Sequence, residues 1–241
     1  MKPSVGIHED VVLKNVTIDK NGKLVLFIRS KEEAKPEEEV NPFDQMNASE
    51  VIEESGDGGI TFWPFKTPEL KDKKTNQDRT EKELGEFSNR DIQTMKNQFQ
   101  QILEQFMVKD DIKWSIFDGT GMDKETYWQQ IYNQPILDVI YKNLCEQFMG
   151  MIAPYLDKNE HAVRFKLVRQ SKEKHFSRVP GMFIKDNPFI EPMSVPQKDS
   201  RVKWTKYELA EGLNDGTPVS RDTADTTEDV PEADENAFGS R

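Results

Sequence analysis

Catalysis by this chain would have to come from three histidines, one cysteine and 44 acidic residues. His8, His161 and His175 sit in different segments, and none is paired in sequence with a nucleophile that it could serve as general base. One cysteine and three scattered histidines cannot build a structural zinc site. Gly56, Gly58 and Gly59 lie in an acidic stretch without the Lys-Ser/Thr that a phosphate-cradling loop requires. The acids are too numerous for any one pair to mark a carboxylate centre. The expectation is therefore no enzyme, no metal and no cofactor. A different chemistry is offered where flat side chains sit among cations. Phe176 is surrounded by Lys172, Lys174 and Arg178, with His175 beside it. Phe62, Trp63 and Phe65 precede Lys66, and Phe183 is followed by Lys185. Phe27 shares a predicted strand face with Lys23 and Arg29. Rings on which bases stack, with cations that track phosphates, are what binding of single-stranded nucleic acid needs, and each stacked base contributes about 1–3 kcal/mol.

Each of these residues has a plainer reading. A strand aromatic is more often core than platform. Phe165 and Phe189, flanked by aliphatic residues, are assigned to the core. Phe62 and Trp63 point to opposite faces, so one is buried and the other exposed, and alternation does not say which. Arg164 and Lys166 line either a nucleic-acid face or an ordinary solvated sheet face. The run 172–178 is the hardest to place in a core.

The net charge of −11 argues against nucleic acid until its distribution is read. Residues 161–207 carry 11 Lys+Arg against 4 Asp+Glu, and residues 1–31 carry 6 against 3. The acid is concentrated in residues 32–59, with 1 against 10, and in residues 208–241, with 2 against 10. Segregation of this kind, rather than the sum, sets a local binding field.

The elements that must carry these residues are legible in part. Residues 7–29 predict a β-hairpin: a β-branched run from Val11 to Ile18, the turn signal Asn21-Gly22, then Lys23 to Arg29 with Leu24, Leu26 and Ile28 on the core face. Residues 30–59 read as an acidic flexible loop. Ile60 to Lys66 forms a short aromatic strand that Pro64 confines to an edge or an end. Ser88 and Asp91 predict a capped helix over 88–107, with Ile92, Met95, Phe99, Ile102, Leu103 and Phe106 at helical spacing. A second helical stretch over 124–152 is divided near Asn133 by Pro135. Its stripes, Ile136/Ile140/Leu144/Phe148 and Leu137/Tyr141/Cys145/Met149, need a partner, and the first helix is the simplest. Ala162 to Arg169 is a strand, 170–178 a basic loop, and Val202 to Tyr207 a final strand. From 208 the chain is polar and acidic, which predicts a disordered tail.

A single cysteine excludes an intramolecular disulfide and fits a reducing compartment, and Cys145 lies in an apolar run as a buried thiol. The first residues lack the apolar stretch of a signal peptide, and no run of about 18 apolar residues could span a membrane. A soluble, cytoplasmic chain with no membrane partner is expected.

The opening Gly6-Ile7-His8-Glu9-Asp10-Val11-Val12-Leu13 resembles the start of single-stranded DNA-binding proteins of tailed bacteriophages, with Asp10 where that family usually has Asn. Val163 to Val168, then Phe176-Ser177-Arg178-Val179-Pro180 and Phe189-Ile190-Glu191-Pro192-Met193, resemble the same family in the same order. Phe62-Trp63-Pro64-Phe65 sits where the family has a Trp-Pro strand. The likeness covers roughly 6–29, 60–66 and 162–207. It implies an α+β fold: an oligonucleotide-binding (OB-like) antiparallel barrel of about five strands over residues 1–207, interrupted by a helical insertion at 80–158. It implies sequence-independent binding of single-stranded DNA in phage replication or recombination, in the host cytoplasm. The DNA-binding set expected from residues and resemblance together is Lys23, Phe27, Arg29, Trp63, Lys66, Arg164, Lys166, Lys172, Lys174, Phe176, Arg178 and Lys185. Asp234, Glu235 and Phe238 in the acidic tail are expected to recruit replication or recombination proteins, or to compete with DNA. Gly239-Ser240-Arg241 follow Phe238, unlike families that end on the aromatic. The rival reading is a non-enzymatic phage structural or assembly protein that binds other proteins through its helices.

Overall fold

The computed structural model describes residues 4–31, 59–171, 174–181 and 187–214, with the backbone alone at 124, 125, 128, 170, 171 and 174–176. Strands β1 (Gly6–Ile18) and β2 (Leu24–Ser30) form the expected hairpin. Its turn closes because the Asp19 carboxylate accepts the N–H groups of Asn21 and Lys23 at 2.8 and 2.9 Å, while Gly22 supplies the positive φ of 74°. β3 (Ile60–Phe62) pairs with β2 so closely that a Cβ on Gly59 would lie 2.3 Å from the Val25 side chain. On its other edge β1 pairs with β4 (Val163–Ser171), and β4 pairs with β5 (Lys174–Arg178) and β6 (Ile190–Pro192). All pairings are antiparallel, in the order β3-β2-β1-β4-β5 with β6 also on β4. β3 and β5 approach each other from the two ends of that order, so the sheet nearly closes into a barrel. Residues 170–178, expected as a loop, thus include a paired strand.

Closure needs β1 to bend. It does so at the register shift between His8 and Val11, where Asp10 sits at φ 52°. Asn and Asp are the side chains that tolerate this left-handed conformation best. Position 10 therefore has a backbone reason to hold Asp or Asn.

The helical region is α1 (Glu81–Leu103), α2 (Lys124–Gln130) and α3 (Gln134–Ile152). α1 begins seven residues before the expected start. Thr80 caps it, with Glu83 completing a reciprocal capping box, and Ser88 is an interior residue whose hydroxyl has no partner. The break before α3 falls where Pro135 places it, after the cap residue Asn133. The apolar stripes of α1 and α3 face each other and the sheet: Phe99 stacks on Phe148 at 4.2 Å between centroids and meets Phe62 edge-on at 4.9 Å. One contiguous core results, running from Leu13, Leu24, Leu26 and Phe165 into the helices. Among the described residues no helix is long and apolar enough to cross a membrane.

The opposite face of β4 corrects the sequence reading. Arg164 and Lys166, expected on a DNA-contacting or solvated face, are 2% and 1% exposed. They are roofed by the chain from Asn187 to Leu213. Arg164 pairs with Glu191 and with Glu9 (3.1 Å), and Glu191 also accepts from the Ser200 hydroxyl and the Arg201 N–H. The Lys166 ammonium lies 3.0 Å from Glu208 and 2.7 Å from the Lys203 carbonyl. Burial pulls the Lys166 ammonium below its ordinary value, and Glu208 opposes that pull. Both cations are buried against protein acceptors and closed to phosphate.

That roof also moves the end of the packed chain. The expected strand 202–207 is extended chain followed by a short helix, α4 (Lys206–Ala210), because Thr205 and Glu208 form a second capping box. Leu213 is buried with Val168 and Trp204, and its carbonyl accepts the Arg169 N–H at 2.8 Å. Folded structure therefore continues beyond residue 207. Removing Glu208 alone would strand a buried ammonium. Glu208→Ala is expected to cost about 3–5 kcal/mol in urea unfolding, and the joint change Lys166→Met with Glu208→Leu much less. Equal losses for the two would show that the pair is not electrostatically coupled.

Candidate nucleic-acid interface

β2 and β3 pair at Leu24 and Phe62, so the next residues outward, Lys23 and Trp63, face each other beyond the last rung. Pro64 has no N–H to extend the ladder, and the strand ends there. Phe62 turns into the core and Trp63 outward, 57% exposed, which settles what alternation left open. The Lys23 ammonium sits 3.8 Å from the centroid of the Trp63 ring. A cation held on an exposed indole contributes about 0.5–1 kcal/mol, little enough for another flat group to take its place on the ring. Lys66 is exposed three residues on.

Two α3 residues hold this segment, and the sequence reading missed both as positioning groups. The Tyr141 hydroxyl accepts the Leu24 N–H at 2.7 Å and donates to the Phe62 carbonyl at 2.9 Å, clipping the two residues next to Lys23 and Trp63. Gln134, two turns earlier, donates to the Phe65 carbonyl at 3.0 Å and accepts the Thr67 N–H at 3.1 Å. Phe65 packs edge-on against the Tyr141 ring, so the chain from Phe62 to Thr67 lies along the helix. The available signal was a tyrosine in an otherwise apolar stripe, whose hydroxyl must find a partner once buried.

The other expected contacts fall in three groups. Arg178, at the end of β5, is exposed and close enough to Tyr207 to interact electrostatically. Lys174 and Phe176 lie on the same strand, described in backbone alone, and β5 approaches β3 across the barrel gap. Arg29 is only 19% exposed in its side chain and is held by Asp157 at 2.7 Å and Asn159 at 2.9 Å, while Phe27 on the same strand is half-buried. Lys172, Lys185, Asp234, Glu235 and Phe238 lie outside the described residues, as do most of the acidic stretch 30–59 and the tail from 215.

Among the described side chains, two histidines and the cysteine have structural surroundings. His161 packs edge-on against Phe106 and Tyr155, and His8 hydrogen-bonds the Ser4 carbonyl. Cys145 is fully buried, and desolvation pushes its thiol up to about 12, with the nearby Tyr141 side chain opposing the shift only weakly. No family model, no curated protein and no solved structure matches this chain.

Tyr141→Phe leaves the Leu24 N–H and the Phe62 carbonyl without their partner, and is expected to cost about 1–3 kcal/mol in chemical denaturation. It should also raise hydrogen exchange at Leu24; unchanged exchange there would remove Tyr141 from its clamping role. For Cys145 the unfolded chain releases the thiol proton near its ordinary value of 9.0 while the folded chain holds it to about 12. The folded state thus binds more protons in that window, and stability falls as pH rises through it. Cys145→Ala should show a shallower fall between about pH 9 and about pH 11, read from urea midpoints.

Proposed function

We propose that this chain binds single-stranded DNA without sequence preference, on an OB-like barrel whose platform is Trp63. The carrying observation is the exposed indole at the end of β3 with the Lys23 ammonium on its face and Lys66 nearby. A base takes the lysine's place on the ring, and the released ammonium is free to meet the adjacent phosphate. The nearly closed antiparallel sheet is compatible with the OB-fold, which presents strands and loops to oligonucleotides. β5, with Lys174, Phe176 and Arg178, extends the surface across the barrel gap. The resemblance to phage single-stranded DNA-binding proteins points the same way and supplies the context of DNA replication or recombination. The acidic tail, including Asp234, Glu235 and Phe238, then competes for the cationic surface or recruits replication proteins. The rival assembly-protein reading loses its main support in the fold, because the apolar stripes of α1 and α3 are spent on each other and on the sheet.

The test is fluorescence anisotropy with a labelled poly-dT oligonucleotide across a salt series. Lys23→Ala with Lys66→Ala should flatten the slope of log K against log salt by roughly 0.7 per lost phosphate contact. Trp63→Ala should weaken binding by about 1–3 kcal/mol at an unchanged slope. Truncation after Asn214, which spares Glu208 and Leu213, should tighten binding if the tail competes. Absence of binding by full-length and truncated protein at low salt would end the DNA reading in favour of a protein-binding role.

A further inference from the structure

Beyond Lys66 the chain borders a groove of about 680 Å³ between residues 67–70 and the start of α3, walled by Pro68, Leu70, Leu84, Tyr132 and Pro135. Its wall is mostly apolar, and Leu70 at its lip is 69% exposed. We propose that this groove is a second base-binding subsite, taking a nucleobase of the same single strand that stacks on Trp63; the inference rests on the DNA reading above and deepens it.

Three observations commit the groove to this occupant. The first is continuity. Thr67 lines the groove and lies four residues from Trp63, at most about 14 Å of extended chain. Gln134 and Tyr141 fix that interval along one face of α3, so platform and groove have a set spacing. The second is charge. Lys66, Lys71 and Lys74 are exposed in the chain next to the groove, where Glu69 pairs with Lys73 at 2.8 Å, Asp72 with Arg79 at 3.2 Å and Glu81 with the Tyr132 hydroxyl. Asp78, across from Lys71, and Asp138, held by Gln134, remain as acids without a cation among the described residues. Hydrogen bonds from the Thr75 and Lys74 N–H groups hold the Asp72 carboxyl down at about 2, so it stays a fixed partner for Arg79. The third is shape and chemistry. Flat apolar walls from proline and tyrosine rings suit a heteroaromatic face, and the volume falls in the range of small-ligand clefts.

The test uses Leu70→Glu, which changes an exposed side chain and should leave folding intact by circular dichroism. Oligo-dT affinity of the full chain is expected to fall on the order of tenfold. Photocrosslinking with 5-iododeoxyuridine at each position of the oligonucleotide should mark Tyr132 as well as Trp63. If the parent binds, Trp63→Ala weakens it, Leu70→Glu does not and crosslinks stop at Trp63, the second subsite is overturned while the DNA reading stands. If the parent does not bind at all, both fall. A synthetic peptide of residues 215–241 is the control: binding of that peptide lost in Leu70→Glu, with oligonucleotide affinity unchanged, would give the groove to the chain's own tail and overturn the proposal.

Discussion

The barrel depends on two cations that are out of reach of solvent. Arg164 and Lys166 project from one face of β4, while Val163, Phe165 and Leu167 project from the other into the helix-packed core. A charged group this deep is tolerable only with its partners in place. Glu9 from β1, Glu191 from β6, and Glu208 with the Lys203 carbonyl from the C-terminal segment converge on β4 to supply them. The central strand is thereby tied to three distant parts of the chain by groups that accept no slip in register.

This layer leaves the other end of the sheet to carry the candidate interface. Among the described residues the β2–β3 edge has no such ionic roof. It is held instead from the core side, by one tyrosine hydroxyl and one glutamine amide on α3. The helices thus pack the core and also set where the strand stops and how its outward residues are presented. Trp63 stays exposed because Phe62 and Phe65 on either side are both drawn inward. An indole offered in that way is rigidly placed without being buried, as a stacking platform requires.

Local signals in the sequence were readable where the local chemistry decided the outcome. Asn21-Gly22 gave the hairpin, Pro135 gave the start of α3, and the flanking aliphatics put Phe165 and Phe189 in the core, where they meet edge-on. Reading failed where a distant partner decided. Alternation correctly placed Arg164 and Lys166 opposite the core, but nothing local revealed that residues 187–213 would cover that side. Two capping boxes, Thr80/Glu83 and Thr205/Glu208, outweighed the hydrophobic pattern near them. The first lengthened a helix, and the second replaced an expected strand. For the candidate interface, cations and aromatics in the sequence singled out Lys23, Trp63 and Lys66, whereas Gln134, which acts only by holding backbone, carries no compositional mark, and Tyr141 is marked only as a tyrosine in an apolar stripe.

The ion-pair layer also constrains how the protein can be made. β1 cannot find its inner neighbour until β4, more than 150 residues later, has been synthesised, and Lys166 remains uncompensated until Glu208 follows. On a ribosome, the hairpin and helices emerge well before either event. The barrel should therefore close late and nearly at once, with the last segment acting as the latch. Until then the nascent chain would present an open sheet edge, and a holding chaperone would have most to offer in that interval.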